Sequence, residues 1–110
     1  MIKISEEKTW MEDDNENEIG LLDHPLIREG VVNFSHTEVD PAFAGQGIAG
    51  QLTKATAEYL RSHGLKAELS CSYSIKWFAK HPEYSDVLVD PDAETKKAKE
   101  LAGPACGIKR

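Results

Sequence analysis

Val31-Val32-Asn33-Phe34-Ser35-His36-Thr37-Glu38-Val39 is a run rich in β-branched residues that alternates in its second half, and it is the strongest strand in the chain. Asp40-Pro41 ends it, and Gly45-Gln46-Gly47 makes a tight loop. Ile48, Leu52, Ala55 and Tyr59 then recur at spacings of 4, 3 and 4, the mark of one helix face. His63 and Gly64 close that helix, because glycine readily takes the left-handed conformation that ends helices. Leu65-Lys66-Ala67-Glu68-Leu69-Ser70-Cys71 reads as another strand, with Leu65, Ala67 and Leu69 on one face. Strand, loop, helix and strand make a βαβ unit, which predicts two parallel neighbouring strands.

The flanks complete an α+β chain with a mixed sheet. Upstream, Lys8-Thr9-Trp10-Met11-Glu12 reads as a first strand, Asp13 to Asn17 as a polar turn, and Glu18-Ile19-Gly20-Leu21-Leu22 as a second strand. His24 to Gly30 contains breakers and reads as a connection. The first 40 residues therefore predict an antiparallel meander. Downstream, a short helix from about Ser74 to Lys80 stops before Pro82, and Asp86-Val87-Leu88-Val89 offers a last short strand. Asp90-Pro91-Asp92 starts a further helix with proline in its first turn, and Gly103-Pro104 stops it. Two regions are expected: 1–90 as one domain, and 91–110 as a lysine-rich tail that is sparse in apolar residues and docks weakly or frays.

Composition narrows the class. A length of 110 residues fits one domain, since domains most often run to ~100–150 residues. A mean hydropathy of −0.47 with 29% charged residues points to a soluble protein. No apolar stretch approaches the ~20 residues that cross a bilayer, and the polar start, Met1 to Lys8, shows no signal peptide. Two cysteines, Cys71 and Cys106, make no disulfide framework and read as thiols of a reducing cytoplasm. A net charge of −6 disfavours nucleic acid as a partner. That charge belongs to the first third: residues 1–30 hold nine acidic and three basic residues, whereas residues 31–110 hold ten of each.

Several residues carry candidate chemistry. The Gly45–Ala49 loop leads into a helix start, where unpaired N–H groups and the helix dipole favour an anion. It lacks both the Lys-Ser/Thr of a P-loop and the third glycine of a dinucleotide fingerprint, so a plain helix start fits the pattern equally well. Cys71, at a strand end just before a helix, is a nucleophile candidate or a small buried residue. His36 and Glu38 share a face of their strand, and Glu38 is a candidate general base, directly or through water. Tyr73 and Tyr84 are candidate acids or packing residues, with packing the better reading for Tyr84. Trp10, Trp77 and Phe78 read as packing residues. No ligand spacing joins His36, Glu38, His63, Cys71 and His81 into a metal site, and His63 reads as a cap at its helix end.

Taken together, these stretches resemble the small, single-domain branch of the GCN5-related N-acetyltransferase (GNAT) superfamily. The matching residues are His36-Thr37-Glu38-Val39, Gly45-Gln46-Gly47-Ile48-Ala49 with Leu52, Cys71-Ser72-Tyr73, and His81-Pro82-Glu83-Tyr84 with Asp86. The resemblance implies acetyl-CoA as donor, with its pantetheine arm in a V-shaped opening between two splaying parallel strands. It places the arm's amides on the backbone around Thr37, Glu38 and Val39, and the pyrophosphate on Gly45, Gln46, Gly47, Ile48 and Ala49. Cys71 and Tyr73 then face the acyl end. One departure stands out: the superfamily's Arg or Gln before the first glycine is Ala44 here, which removes a charge-assisted phosphate contact.

The expected function is acetyl transfer from acetyl-CoA to an amine, by direct attack or through Cys71. The chain lacks the extra helices that usually enclose an acceptor, so a protein or peptide acceptor on an open surface is expected, on a monomer or weak dimer without membrane, nucleic-acid or metal partners. Two alternatives differ in class: a CoA-binding or acyl-CoA-sensing module with little catalysis, and an interaction protein whose acidic meander docks a basic partner.

Overall fold

A computed structural model describes residues 1–43 and 45–100, for Glu100 the backbone only. Along these residues six strands precede the first helix, and a seventh strand and two more helices follow it. They are β1 (Ile2–Ile4), β2 (Lys8–Glu12), β3 (Glu18–Asp23), β4 (Leu26–Arg28), β5 (Val31–Phe34), β6 (His36–Val39), α1 (Ile48–His63), β7 (Lys66–Leu69), α2 (Ser72–Lys80) and α3 (Pro91–Glu100). Short 3₁₀ turns cover Pro41–Phe43 and Pro82–Val87. The strands form two sheets: β1-β2-β3-β6, antiparallel throughout, and β4-β5-β7, in which β5 and β7 run parallel. The fold is α+β, and the βαβ unit read from residues 31–71 is present, with Phe34 opposite Leu69.

The long strand over 31–39 is broken at Ser35 and belongs to both sheets. The Phe34 carbonyl accepts the N–H groups of Ser70 (3.1 Å) and Cys71 (2.9 Å), while the next N–H, of Ser35, turns to the Asp23 carbonyl at 3.1 Å. Pairing passes from one neighbour to another within two residues, so the chain bends there and the sheets part. Two edge strands lie where the sequence suggested none. β1 pairs Ile2 to Ile4 with Met11 to Thr9, although the polar residues around it hide its alternation. β4 is three exposed residues in irregular register between Pro25 and Gly30. The expected last strand, 86–89, is a single bridge of Leu88 to Ala67, because Asp90 already caps α3 through the Ala93 N–H (3.1 Å).

Phe34, Leu22, Leu52, Leu60, Leu69, Val32 and Val87 are fully buried and form the centre of the core. A side chain of this kind contributes about 1.5–3 kcal/mol on burial. The inner face of α1 differs from the apolar expectation: Ala55 and Tyr59 are half-buried, whereas Thr53 and Thr56 are fully buried. Both hydroxyls donate to the carbonyl four residues back, Ala49 and Leu52, each at 2.8 Å, which lets threonine occupy a core face. Gly64 ends α1 at φ 69°, as the sequence predicts. α1 lies against β2 and β3 at Gly20, where an added Cβ would come within 2.9 Å of the Ile48 Cγ2. Among the described residues no helix is long and apolar enough to cross a membrane.

Candidate functional site

β6 is the edge strand of its sheet, and among the described residues no strand pairs with its far side. The bond from the Asp40 N–H to the Ile19 carbonyl (2.8 Å) fixes the phase of the ladder with β3. His36, Glu38 and Asp40 turn their backbone groups to β3, and Thr37 and Val39 turn theirs to the open edge, because an antiparallel strand alternates its hydrogen-bonding direction. β7 stays with β5 and does not follow β6 past Phe34. The result is a V-shaped opening, with its apex at Phe34 and Ser35 and one arm lined by the outward backbone groups of Thr37 and Val39, which pair with no strand among the described residues.

At the far end of that arm stand the glycine loop and the start of α1. Gly45 and Gly47 have φ of 85° and 76°, a conformation that side chains with a Cβ resist. Gly47 is the N-cap and offers no side-chain cap, so the first N–H groups of α1, from Ile48 to Gly50, have no capping side chain. No acidic residue lies in that first turn. The chain from Gly45 to Ala49 therefore presents donors and a helix dipole to an anion. Tyr73, on the first turn of α2, crosses over α1 here: its hydroxyl lies 3.3 Å from where a Gly50 Cβ would stand, with the Trp77 Nε1 at 3.6 Å. Ala44 lies outside the described residues.

Cys71 sits at the apex as the N-cap residue of α2, which begins at Ser72, two residues before the expected start. Its thiol is fully buried and donates to the fully buried Thr37 Oγ1 at 3.7 Å. The pair joins β6 to the start of α2 across the opening. Glu38 is placed apart from Cys71. Its register partner is Leu21, whereas Thr37 pairs with Leu22 and Val39 with Gly20, on the face that meets α1. Glu38 therefore lies on the opposite face, with its side chain 59% exposed and its Oε2 at 3.3 Å from the His36 Nε2. It lines a shallow cleft of about 350 Å³ with Glu18, Asp40 and Pro41. The structure thus brings Thr37 together with Cys71, and Tyr73 over the first turn of α1 at Gly50, whereas Glu38 stands with His36 on the other face of β6.

The remaining candidates have structural partners. Tyr84 is buried and its hydroxyl donates to the Glu58 Oε2 (2.8 Å), an interaction that raises its pKa. Arg61 grips Asp86 through two bonds (2.9 and 2.6 Å) and lies over the Tyr84 ring, so the 82–87 turn is strapped to α1. His63 hydrogen-bonds the Tyr59 carbonyl at 2.9 Å and its ring lies on the Tyr59 ring. His81 stacks on Trp77 at 4.1 Å. Trp10 donates to the Glu12 Oε2 at 2.8 Å, and Trp77 and Phe78 belong to the core. Among the described residues no three His, Cys, Asp or Glu side chains converge on a metal position. Cys106 lies outside the described residues.

One buried polar chain has no counterpart in the sequence reading. Thr56 gives its only proton to the Leu52 carbonyl, so Thr9 must donate to Thr56 (2.7 Å), and His24 must donate to Thr9 from Nε2 (2.9 Å). This order places a proton on Nε2 of a fully buried histidine whose Nδ1 has no hydrogen-bond partner among the described residues. His24 stands where the two sheets part, between β3 and β4, and the chain of hydroxyls ties that point to α1. Its residues are far apart in sequence and each is unremarkable alone, so only tertiary contact makes them visible.

Residues 8–87 match the family model described as GCN5-related N-acetyl-transferase. Protein NATD1 of Xenopus tropicalis is 37% identical over 62 residues, covering 56% of this chain and 57% of that protein. Protein NATD1 of Homo sapiens is 36% identical over 62 residues, covering 56% and 55%. The chain spans little more than half the length of these curated relatives. The NMR solution structure of a GCN5-like protein from Staphylococcus aureus is similar with a TM-score of 0.66 and 31% identity, over 81% of this chain and 87% of that chain.

Proposed function

The chain belongs to the GCN5-related N-acetyltransferase family, and from that premise we propose that it transfers an acetyl group from acetyl-CoA to an amine, with a protein or peptide lysine as the acceptor class. The observation that supports the proposal is two sets of backbone groups in sequence order, one on the open edge of β6 and one at the glycine loop and helix start. The first set is the outer edge of Thr37 and Val39, and the second is Gly45, Gln46 and Gly47 with the uncapped N–H groups of Ile48 and Ala49. The first set suits the alternating amides of a pantetheine arm, and the second suits a pyrophosphate. Acetyl-CoA supplies the activated thioester; this chain holds the donor and receives the proton.

The amine nitrogen attacks the thioester carbonyl, a C–N bond forms, the C–S bond breaks, and the thiolate leaves to take up a proton. The proton lost by the amine goes to Glu38, directly or through one water, since Glu38 is exposed and lines the cleft on the acceptor side. Burial of Cys71 and its bond to Thr37 favour direct attack over transfer through the thiol. In this reading Cys71 and Tyr73 bound the acyl end.

Calorimetric titration with CoA, followed by CoA-release assays on a panel of primary amines and lysine peptides, tests the proposal. Binding together with amine-dependent release is expected. Binding with no release on any amine would make the chain a CoA-binding module, and no binding at all would remove the proposal. An acetyl adduct found on Cys71 by intact mass would replace direct attack with the covalent route.

A further inference from the structure

Leu69 ends β7 beside the apex of the opening, and its backbone is served by α3. Ala67 and Leu69 direct their backbone groups to the edge of β7 away from β5. The Ala67 carbonyl accepts the Val89 N–H at 3.0 Å, but the chain then turns into α3, and among the described residues no strand continues along the edge. Two side chains take its place. The Glu94 Oε2 accepts the Leu69 N–H at 3.2 Å, and the Lys97 Nζ donates to the Leu69 carbonyl at 3.1 Å. Lys97 also faces the Glu94 Oε1 at 3.0 Å. Glu94 is only 5% exposed, and a carboxylate is buried to that extent only where it is paired and bonded.

The two residues after Leu69, Ser70 and Cys71, are those whose N–H groups converge on the Phe34 carbonyl. One arm of the opening is therefore held from both sides: by Phe34 within the sheet and by Glu94 with Lys97 from outside it. α3 lies beyond the stretch that matches the family model, which ends at residue 87.

We propose that Glu94, paired with Lys97, is a positioning residue for the donor site: it pins the end of β7, and so sets Cys71 and the start of α2 against β6. This rests on the CoA-binding reading above. It makes residues 91–100 a working part of the site.

The test uses the full chain and CoA titration, with amide exchange at Ser70 and Cys71 measured alongside. Glu94→Gln keeps an oxygen for the Leu69 N–H and is expected to bind CoA within about threefold of the parent. Glu94→Leu keeps the volume and loses the acceptor; it is expected to weaken CoA binding by about tenfold or more and to speed exchange at Ser70 and Cys71. Lys97→Met alters a side chain that is 47% exposed and leaves the Glu94 acceptor for the Leu69 N–H in place; with folding checked by urea unfolding, an intermediate loss of CoA affinity is expected. Parent-like CoA affinity in folded Glu94→Leu, or in Lys97→Met if Glu94→Leu fails to fold, overturns the inference and leaves the CoA reading intact. Failure of the parent chain to bind CoA overturns the reading itself, and the inference with it.

Discussion

Gly20 is where β3 and α1 touch, and it sets how closely the helix start can approach the sheet. A Cβ there would lie 2.9 Å from the Ile48 Cγ2 and 3.4 Å from the Leu52 Cδ1. Ile48 is branched next to the helix backbone and cannot swing aside. Gly20→Val should therefore destabilise the chain by about 1–3 kcal/mol by overpacking, read as a lower urea midpoint with an unchanged slope. Glu38 makes the opposite kind of residue, exposed and free of packing. Glu38→Gln should leave the urea midpoint and CoA affinity near the parent values and lower turnover on amines by about 10²-fold. Turnover equal to the parent would remove Glu38 as the base. His24 is the third case. Burial holds its pKa below the ordinary imidazole value, against the opposing pull of the His24 and Glu6 carbonyls and of Asp23 and Glu7. The unfolded chain then binds the proton more readily than the folded one, so stability is complete above pH 6.5 and falls as the pH drops through the lowered pKa. In urea unfolding across that range, His24→Gln, which can still donate to Thr9, should flatten the profile relative to the parent. Parallel profiles would show that His24 contributes none of the slope.

At the scale of elements, the proposed anion site is a loop that lacks the charge its family pattern carries. Ala44 stands where the superfamily pattern has Arg or Gln, so in the proposed site the N–H groups from Gly45 to Ala49 would meet a pyrophosphate without that side chain. Ala44→Arg adds a charge-assisted contact to the pyrophosphate and should tighten CoA binding by roughly tenfold. Titration at matched ionic strength measures this, and unchanged affinity would show that the backbone cradle already suffices. The βαβ unit was legible because its signals are local: alternation in 31–39, helical spacing from Ile48, and Gly64 as stop. The break at Ser35 was not, because it depends on which carbonyl each N–H finds, Phe34 on one side and Asp23 on the other. β1 and β4 escaped notice as short edge strands with mixed polarity, whose pairing depends on neighbours more than on their own pattern. In the site, the glycine loop, Thr37, Glu38 and Cys71 stood out by residue type and position. Thr9, His24, Thr56 and Glu94 did not, because a buried polar residue is defined by partners from distant segments.

Over the whole molecule, charge and structure are distributed in the same way. Residues 1–30 carry the net charge of −6, and they build β1 to β3, the sheet whose remaining strand, β6, carries Glu38. The cleft of about 350 Å³ beside Glu38 is lined by the carboxylates of Glu18, Glu38 and Asp40. The proposed donor site lies along the other edge of β6, in residues 31–110, whose charges balance to zero. Under the proposed function, a polyanionic donor and a cationic acceptor would meet different sides of one strand. Attraction of this kind acts over a screening length of ~10 Å at 0.1 M salt and ~3 Å at 1 M, and it enters the association rate. For a lysine-rich peptide, kcat/KM should therefore fall on the order of tenfold across that range of salt, while for a neutral amine it should stay within about twofold. Reversing Asp13, Asp14 and Glu16 to lysine should flatten the peptide's salt dependence. These residues lie in the β2–β3 turn, at the end of the sheet where Ile19 meets Asp40, so CoA affinity is measured alongside to separate an effect on the acceptor from one on the donor. A salt dependence that is the same for both acceptors would locate specificity in contacts within the cleft and not in the field of the acidic sheet.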